Sequence, residues 1–258
     1  VPVPAAFAEQ AWCNAKTYKE MYKSSVDHPE KFWEEQGERL FWNKKWTKVK
    51  DCSFKPPVKI GWYLGGQLNV SYNCLDRHLK TKAKQAAIIW EPDDPKQPGR
   101  VITYEELHRD VCRWANVLKA KGVKKGDRVT IYLPMIPEAA MAMLACARIG
   151  AVHSVVFGGF SADSISGRIL DCQSEIVITA DEGLRGGKII PLKATVDEAL
   201  QKCPDVKTVI VVKHTGGKVA IKSGRDAWFG DLVKTVSDQC EPEMMDSEAP
   251  LFLLYTSG

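Results

Sequence analysis

The sequence lacks the patterns by which a structural metal site is usually recognised. Its eight cysteines (Cys13, Cys52, Cys74, Cys112, Cys146, Cys172, Cys203 and Cys240) are widely spaced, with no CxxC pair and no cluster with histidine at ligand spacing. No metal site is expected. Cys112 and Cys146 fall inside helical apolar patterns, where a reduced cysteine acts as a small core residue. This usage suits a cytoplasmic or organelle-matrix protein. An uncharged apolar run of about 18 residues is also missing, and Val1 to Phe7 is short and broken by proline, so a soluble protein with no membrane partner is expected. Charge of one sign is not in excess: 36 Lys plus Arg against 32 Asp plus Glu leave +4, spread without a basic arm. Nucleic acid is therefore not an expected partner. A basic patch around a phosphate-bearing small ligand and an ordinary solvated surface both fit that balance.

Several catalytic signatures are absent too. No GxGxxG follows the first strand, which argues against a nicotinamide-binding protein, and no GxSxG elbow, HExxH motif or closely paired carboxylates occur. His108 and His153 lie in a capped helix and in a strand, where a satisfied structural histidine is the expected role. No residue stands out as a nucleophile. What remains is ordinary globular composition, 45% hydrophobic and 26% charged, long enough for one large domain or two small ones.

The chain reads in two parts. Residues 1–58 form an aromatic-rich N-terminal extension with a helix expected from Pro29 to Leu40. Its Trp33, Phe41, Trp42 and Trp46 suit either buried anchors or a ligand platform. Residues 59–258 read as the second part. In Lys59 to Val70, Gly65-Gly66 stands between two apolar runs, a hairpin signal, and a short helix is expected near Leu75 to Lys82. From Ala86 the pattern is that of an α/β domain. Strands are expected near 86–90, 100–103, 128–133, 152–157, 175–179, 208–212 and 251–255. Helices are expected at 103–122, 137–150, 162–170, 191–202 and 228–236. The first of these has capping-box spacing at Thr103 and Glu106, and Gly122 stands where a left-handed stop belongs. Alternation at this pitch implies a doubly wound, mostly parallel sheet with right-handed crossovers, whose ligands bind beyond the carboxyl ends of the strands.

Three loops meet that condition. Tyr255-Thr256-Ser257-Gly258 follows an apolar run with hydroxyls and a glycine, the way phosphate loops begin and also the way ordinary strands end. After the strand near 175–179, Arg185 and Lys188 bracket Gly186-Gly187. Arg185 offers a planar fork for phosphate and Lys188 a mobile point charge, although a solvated turn has the same composition. In Val156 to Ser161, Phe157 and Phe160 flank Gly158 and Gly159; an adenine could stack there, or the aromatics could be core.

Longer strings carry a resemblance. Asn73 to Leu79, Ala87 to Glu91, Tyr104 to Cys112, Pro134 to Ser161, Ile178 to Gly183 and Leu254 to Gly258 are similar to AMP-forming acetyl-CoA synthetases of the adenylate-forming superfamily. The resemblance covers essentially the whole chain. It implies the N-terminal part of that superfamily's large α/β domain, with acetate, ATP and CoA as small-molecule substrates, an acetyl-adenylate intermediate, and magnesium accompanying the nucleotide. It makes Arg185, Gly186, Gly187 and Lys188 the grip on the phosphorylated adenosine end of CoA, with Phe157, Gly158 and Gly159 along its adenine. Some relatives carry Arg in place of Lys188. Thr256, Ser257 and Gly258 become the opening of the ATP-phosphate loop. Members of the family run more than twice as far, so the catalytic residues and magnesium ligands are expected beyond Gly258 and the chain alone is expected to be inactive. A propionate or other short-acyl ligase, and a non-catalytic CoA-binding or interaction module, are the alternatives.

Overall fold

The computed structural model describes residues 3–256. They divide into two compact units, one running through Gln67 and including Asp246–Glu248, the other Leu68–Met245 with the segment from Ala249 onward.

The first unit holds helices α1 (Ala5–Gln10), α2 (Ala15–Asp27) and α3 (Pro29–Gly37) and strands β1 (Lys48–Ser53) and β2 (Lys59–Leu64). Pro29 starts α3 as its fixed φ favours. The helix stops at Gly37, short of the expected Leu40. The Trp42 indole N–H donates to the Gly37 carbonyl at 2.9 Å, which serves one of the helix's open acceptors. A Cβ on Gly37 would lie 2.7 Å from the Tyr63 ring and 2.9 Å from Trp46. Only glycine permits that approach. Trp42, Trp46 and Tyr63 pack with ring centroids 4.9 to 5.2 Å apart, so Trp42 and Trp46 pack on neighbouring rings as anchors. The hairpin expected at Gly65-Gly66 does not form: β2 pairs antiparallel with β1, Lys50 opposite Trp62. Gly65 has φ +74°, but Gly66 is not in the left-handed region and Tyr63 is, at φ +51°. A type I′ hairpin turn needs both central residues there.

In the second unit, the helix expected near Leu75 to Lys82 is a 3-10 turn at Asp76–His78 followed by one α turn at Leu79–Lys82. Strands β3 (Ala86–Trp90) and β4 (Arg100–Thr103) pair antiparallel with each other as a separate ribbon. Helix α4 (Tyr104–Ala120) carries the full Thr103/Glu106 capping box, and Gly122 beyond its end has φ +89°. Then follow β5 (Arg128–Tyr132), α5 (Pro137–Arg148), β6 (Val152–Val155), α6 (Ala162–Cys172), β7 (Ile176–Ala180), β8 (Gly183–Arg185), β9 (Lys188–Ile190), α7 (Leu192–Ala199), β10 (Thr208–Val212), β11 (Asp226–Trp228), α8 (Phe229–Leu232) and β12 (Phe252–Leu253).

Six strands form one sheet, in the order β11-β10-β7-β5-β6-β12, every neighbouring pair parallel. Such strands are covered on both faces and therefore read as continuous apolar runs. Val129, Ile131, Val177, Ile178, Val209, Ile210 and Val211 are buried accordingly, each contributing about 1.5–3 kcal/mol of hydrophobic stabilisation. The chain moves one way from β5 to β6, then back past β5 to β7 and on to β10. Right-handed crossovers place α5 on one face of the sheet and α6 and α7 on the other. The contacts agree: α4 packs on α5, and α6 on α7. This is the doubly wound α/β arrangement expected from the alternation.

Where α4 meets α5, an ion network adjoins the apolar packing. Arg148, 2% exposed, reaches both oxygens of Asp76 at 2.8 and 2.9 Å and the Cys240 carbonyl at 2.6 Å. His108 Nε2 lies 3.2 Å from Asp76. Burial alone would raise the Asp76 carboxyl, but the Arg148 and His108 bonds outweigh it and hold it at about 2. Bonding to Asp76, then to Cys112, raises His108 to about 9. The His108 contribution to stability is therefore fully present below its ordinary value near 6.5 and is lost as pH rises through about 9. The Asp76 contribution is present above 3.8 and is lost as pH falls through about 2. Two outcomes are expected in urea titrations of the chain. Arg148→Ala costs about 3–5 kcal/mol, because it leaves Asp76 without its main partner in a nearly closed site. His108→Gln abolishes the loss of stability between pH 7 and 9.5 that the parent chain shows; an unaltered alkaline profile in that variant would refute the assignment.

Candidate functional site

Because the connections from β5 and β7 leave on opposite faces, the carboxyl ends of β5, β6 and β7 frame a crevice of the kind in which open α/β sheets bind ligands. The loops that border it come from well-separated stretches: Leu133–Ile136 after β5, Val156–Ser161 after β6, Asp181 onward after β7, and 213–217 after β10.

Two buried groups fix these loops. Tyr132, the last residue of β5, accepts a hydrogen bond from the Gly159 N–H and donates to the Phe160 carbonyl, both at 3.1 Å. Burial raises its phenol, and the Gly159 bond opposes that only in part, so it is a neutral peg. Asp181 is fully buried and accepts from the backbone N–H groups of Glu182, His214 and Gly216 at 2.8 Å and of Thr215 at 3.2 Å. Those bonds replace the water that a buried carboxylate would otherwise require. They tie the loop after β10 to the end of β7. Trp90, at the end of β3, donates its indole N–H to the Met135 carbonyl at 2.7 Å and meets the His214 ring edge-on.

On this frame the structure brings together some of the residues expected from the sequence. Phe157 is 52% exposed at the rim, and the Arg185 guanidinium lies over its ring, 5.4 Å from the centroid. Gly159, at φ +117°, faces the same guanidinium, since a Cβ there would lie 3.9 Å from Arg185 Nη1. A Cβ on Gly158 would come within 3.3 Å of the Leu133 carbonyl oxygen. The rim is thus an aromatic face, a planar cation and, at Gly159, backbone open to close approach.

Gly186 and Gly187 form the two-residue turn of a hairpin between β8 and β9, with φ +57° and +74°. Arg185 and Lys188 are direct partners across it. All four residues are exposed. The turn's two N–H groups donate to Asp93, at 2.9 Å from Gly186 and 2.8 Å from Gly187. Those bonds, Gly187 first, hold the Asp93 carboxyl below its usual range.

Thr256 is exposed beyond β12, while Ser257 and Gly258 lie outside the described residues. Tyr255 just before them is tied to the rim. The Arg168 guanidinium lies over both the Phe160 and Tyr255 rings, at 4.8 and 5.1 Å, and the Tyr255 hydroxyl donates to Asp171 at 2.5 Å. Burial, then that bond, raises the Tyr255 phenol.

Tyr132, Asp93 and Arg168 were not anticipated. Tyr132 had a signal, a polar tip ending an apolar strand. Asp93 had none, its partners standing 93 and 94 residues away. His153 is buried, burial lowers it to about 4, and its Nδ1 has no partner; it lies under β12 against Phe252, away from the rim. Among the described residues no group of three His, Cys, Asp or Glu side chains could hold a metal. No residue here is assigned to the magnesium that the resemblance implies. No helix among them is long and apolar enough to cross a membrane.

Comparison with known proteins agrees with this architecture. The family described as AMP-binding enzyme matches residues 75–258, and the one described as acetyl-coenzyme A synthetase N-terminus matches residues 18–74. An acetyl-coenzyme A synthetase of Bdellovibrio bacteriovorus is 63% identical over 257 residues, 100% of this chain and 40% of the relative. One of Parvibaculum lavamentivorans is 64% identical over 258 residues, with the same coverage. One of Syntrophobacter fumaroxidans is 62% identical over 257 residues, covering 39% of its length. The chain therefore spans about 40% of the relatives it matches. With the larger match extending over most of its length, the chain belongs to the AMP-binding enzyme family.

Proposed function

We propose that this chain is the N-terminal part of an acetate–CoA ligase, which joins acetate to ATP as acetyl-adenylate with release of pyrophosphate, then passes the acetyl group to CoA with release of AMP. The relatives' names support the reaction. The observation that carries the assignment of a role to this part is the rim formed by Phe157, Gly158, Gly159 and Arg185, with Lys188 across the hairpin from Arg185.

Each residue has a physical task in that reading. The Arg185 guanidinium presents a fork of N–H donors to a phosphate of the adenosine end of CoA, and Lys188 adds a second charge that is not directional. The open face of Phe157 suits stacking with a purine, the missing side chain of Gly159 leaves the backbone approachable, and Gly158 lets this loop pack against the Leu133 carbonyl. Thr256, with Ser257 and Gly258, opens a loop whose hydroxyls and N–H groups would receive ATP phosphates. These groups bind and orient; we assign adenylation to the part of the relatives' length that this chain does not span, and magnesium would accompany the nucleotide there. A cytoplasmic location fits the same reading, supported by the bacterial relatives and by cysteines that stay free thiols.

Titrating CoA into the chain is expected to give saturable binding that Arg185→Ala weakens by about tenfold or more, the worth of a charge-assisted hydrogen bond pair. Lys188→Ala should weaken it less, about threefold to fivefold, as expected of a more exposed point charge. Affinity unchanged by both substitutions would remove the CoA assignment. The purified 258-residue chain is also expected to show no acetate-dependent exchange between ATP and pyrophosphate; robust exchange would contradict the division of labour proposed here.

A further inference from the structure

The β8–β9 hairpin has only three residues on each strand and, among the described residues, pairs with no other strand. A two-stranded ribbon of that size has little stability of its own in water. Yet its first strand carries Arg185, whose guanidinium occupies a defined place over Phe157. Something must hold the tip.

We propose that Asp93 is the positioning residue for Arg185, its carboxylate clamping the Gly186–Gly187 turn so that the hairpin keeps the guanidinium over Phe157. A turn with both central residues at positive φ directs its two N–H groups off the ladder, where they form a small anion cradle. Asp93 fills it from within the chain, one oxygen to each donor. The carboxylate stands on a firm mount. Asp94 next to it closes a turn, accepting from the Lys96 N–H on its side chain at 2.9 Å and from the Gln97 N–H on its carbonyl at 3.0 Å. Gly99 sits so close to Trp90 that a Cβ would meet its carbonyl oxygen at 2.8 Å, and Trp90 is pinned to the Met135 carbonyl. Force on the tip is thus transmitted to the loop that leaves β5.

A consequence separates this role from that of an ordinary phosphate loop. With both backbone donors taken by Asp93, an anion at this hairpin is recognised by the Arg185 and Lys188 side chains and not by the turn. The ligand consequence rests on the CoA reading; the positioning itself does not.

The test uses the whole chain with Asp93→Ala and Asp93→Asn, the second keeping one acceptor and most of the shape. Solution NMR should show faster amide exchange at Gly186 and Gly187 and loss of the Arg185–Phe157 contact in Asp93→Ala, with an intermediate result in Asp93→Asn. CoA affinity should fall about fivefold in Asp93→Ala and not at all when the same change is made in Arg185→Ala, since a positioning residue loses its effect once its client is gone. An Arg185–Phe157 contact that survives in both variants overturns the proposal. So does tighter CoA binding in Asp93→Ala, which would make the carboxylate a competitor for the anion. If the parent chain binds no CoA but the contact and the amide protection are lost in Asp93→Ala and weakened in Asp93→Asn, the clamp stands and the CoA reading fails.

Discussion

The reversal of direction at β5 is the constraint on which the rest depends. Parallel strands require crossovers, crossovers are right-handed, and a chain that turns back past β5 must therefore put successive helices on opposite faces. The crevice at the carboxyl ends is where those two windings part. Phe157 after β6 and Arg185 after β7, 28 positions apart, meet there because the sheet sets their strands' ends on either side of β5. The clefts lined by Lys121, Asp127, Arg128, Gln173 and Lys207 lie at the amino ends of the same strands.

Topology alone does not hold loops still, and in this protein carboxylates perform that task. Asp181 gathers four backbone donors and fixes the loop after β10, Asp93 gathers two and fixes the hairpin tip, and Asp76 takes the fork of Arg148 between the helices. The three sites differ in what the burial of a charge demands. Asp181, with no contact with water, is matched by several N–H groups, each oriented by a turn. Asp76 is matched by a cation, so its worth depends on pH and on an intact partner. Asp93 is exposed, and its value is geometric, because a pair of bonds in a wet setting contributes little net stability but can select one conformation of a weak ribbon.

The alternation of strands and helices was legible because the parallel strands from β5 onward, buried on both faces, read as continuous apolar runs and the helices carry caps and stops. The α4 capping box is the clearest instance. Two Gly-Gly pairs show the limit. Gly186-Gly187, bracketed by Arg185 and Lys188, makes a two-residue hairpin, and Gly65-Gly66, between two apolar runs, does not. The difference lies in the partner: β2 already has β1 alongside it, and the turn it needs places Tyr63 and Gly65 at positive φ instead. Pairing of that kind is non-local, and composition does not report it. The same holds for the rim. Arg185 and Phe157 could be selected by residue type, but Asp93 and Arg168 act through partners far along the chain.

Arg168 shows how the candidate loops are linked. Its guanidinium lies between Phe160, beside the residues proposed for CoA, and Tyr255, beside those proposed for ATP phosphate, while its own carbonyl accepts from the Tyr255 hydroxyl at 3.4 Å. A cation over two rings attracts both and resists their separation more than a pair of apolar contacts would. Helix α6, which carries Arg168 and Asp171, is itself packed on α7 and ends in a left-handed Gln173, so the clamp is mounted on a rigid element. In the proposed reaction the nucleotide is used first and CoA second, and the two loops proposed for them are not set independently. Here both are fastened to the same helix, one through Phe160 and one through Tyr255, and a shift of either is felt at the other through a single side chain.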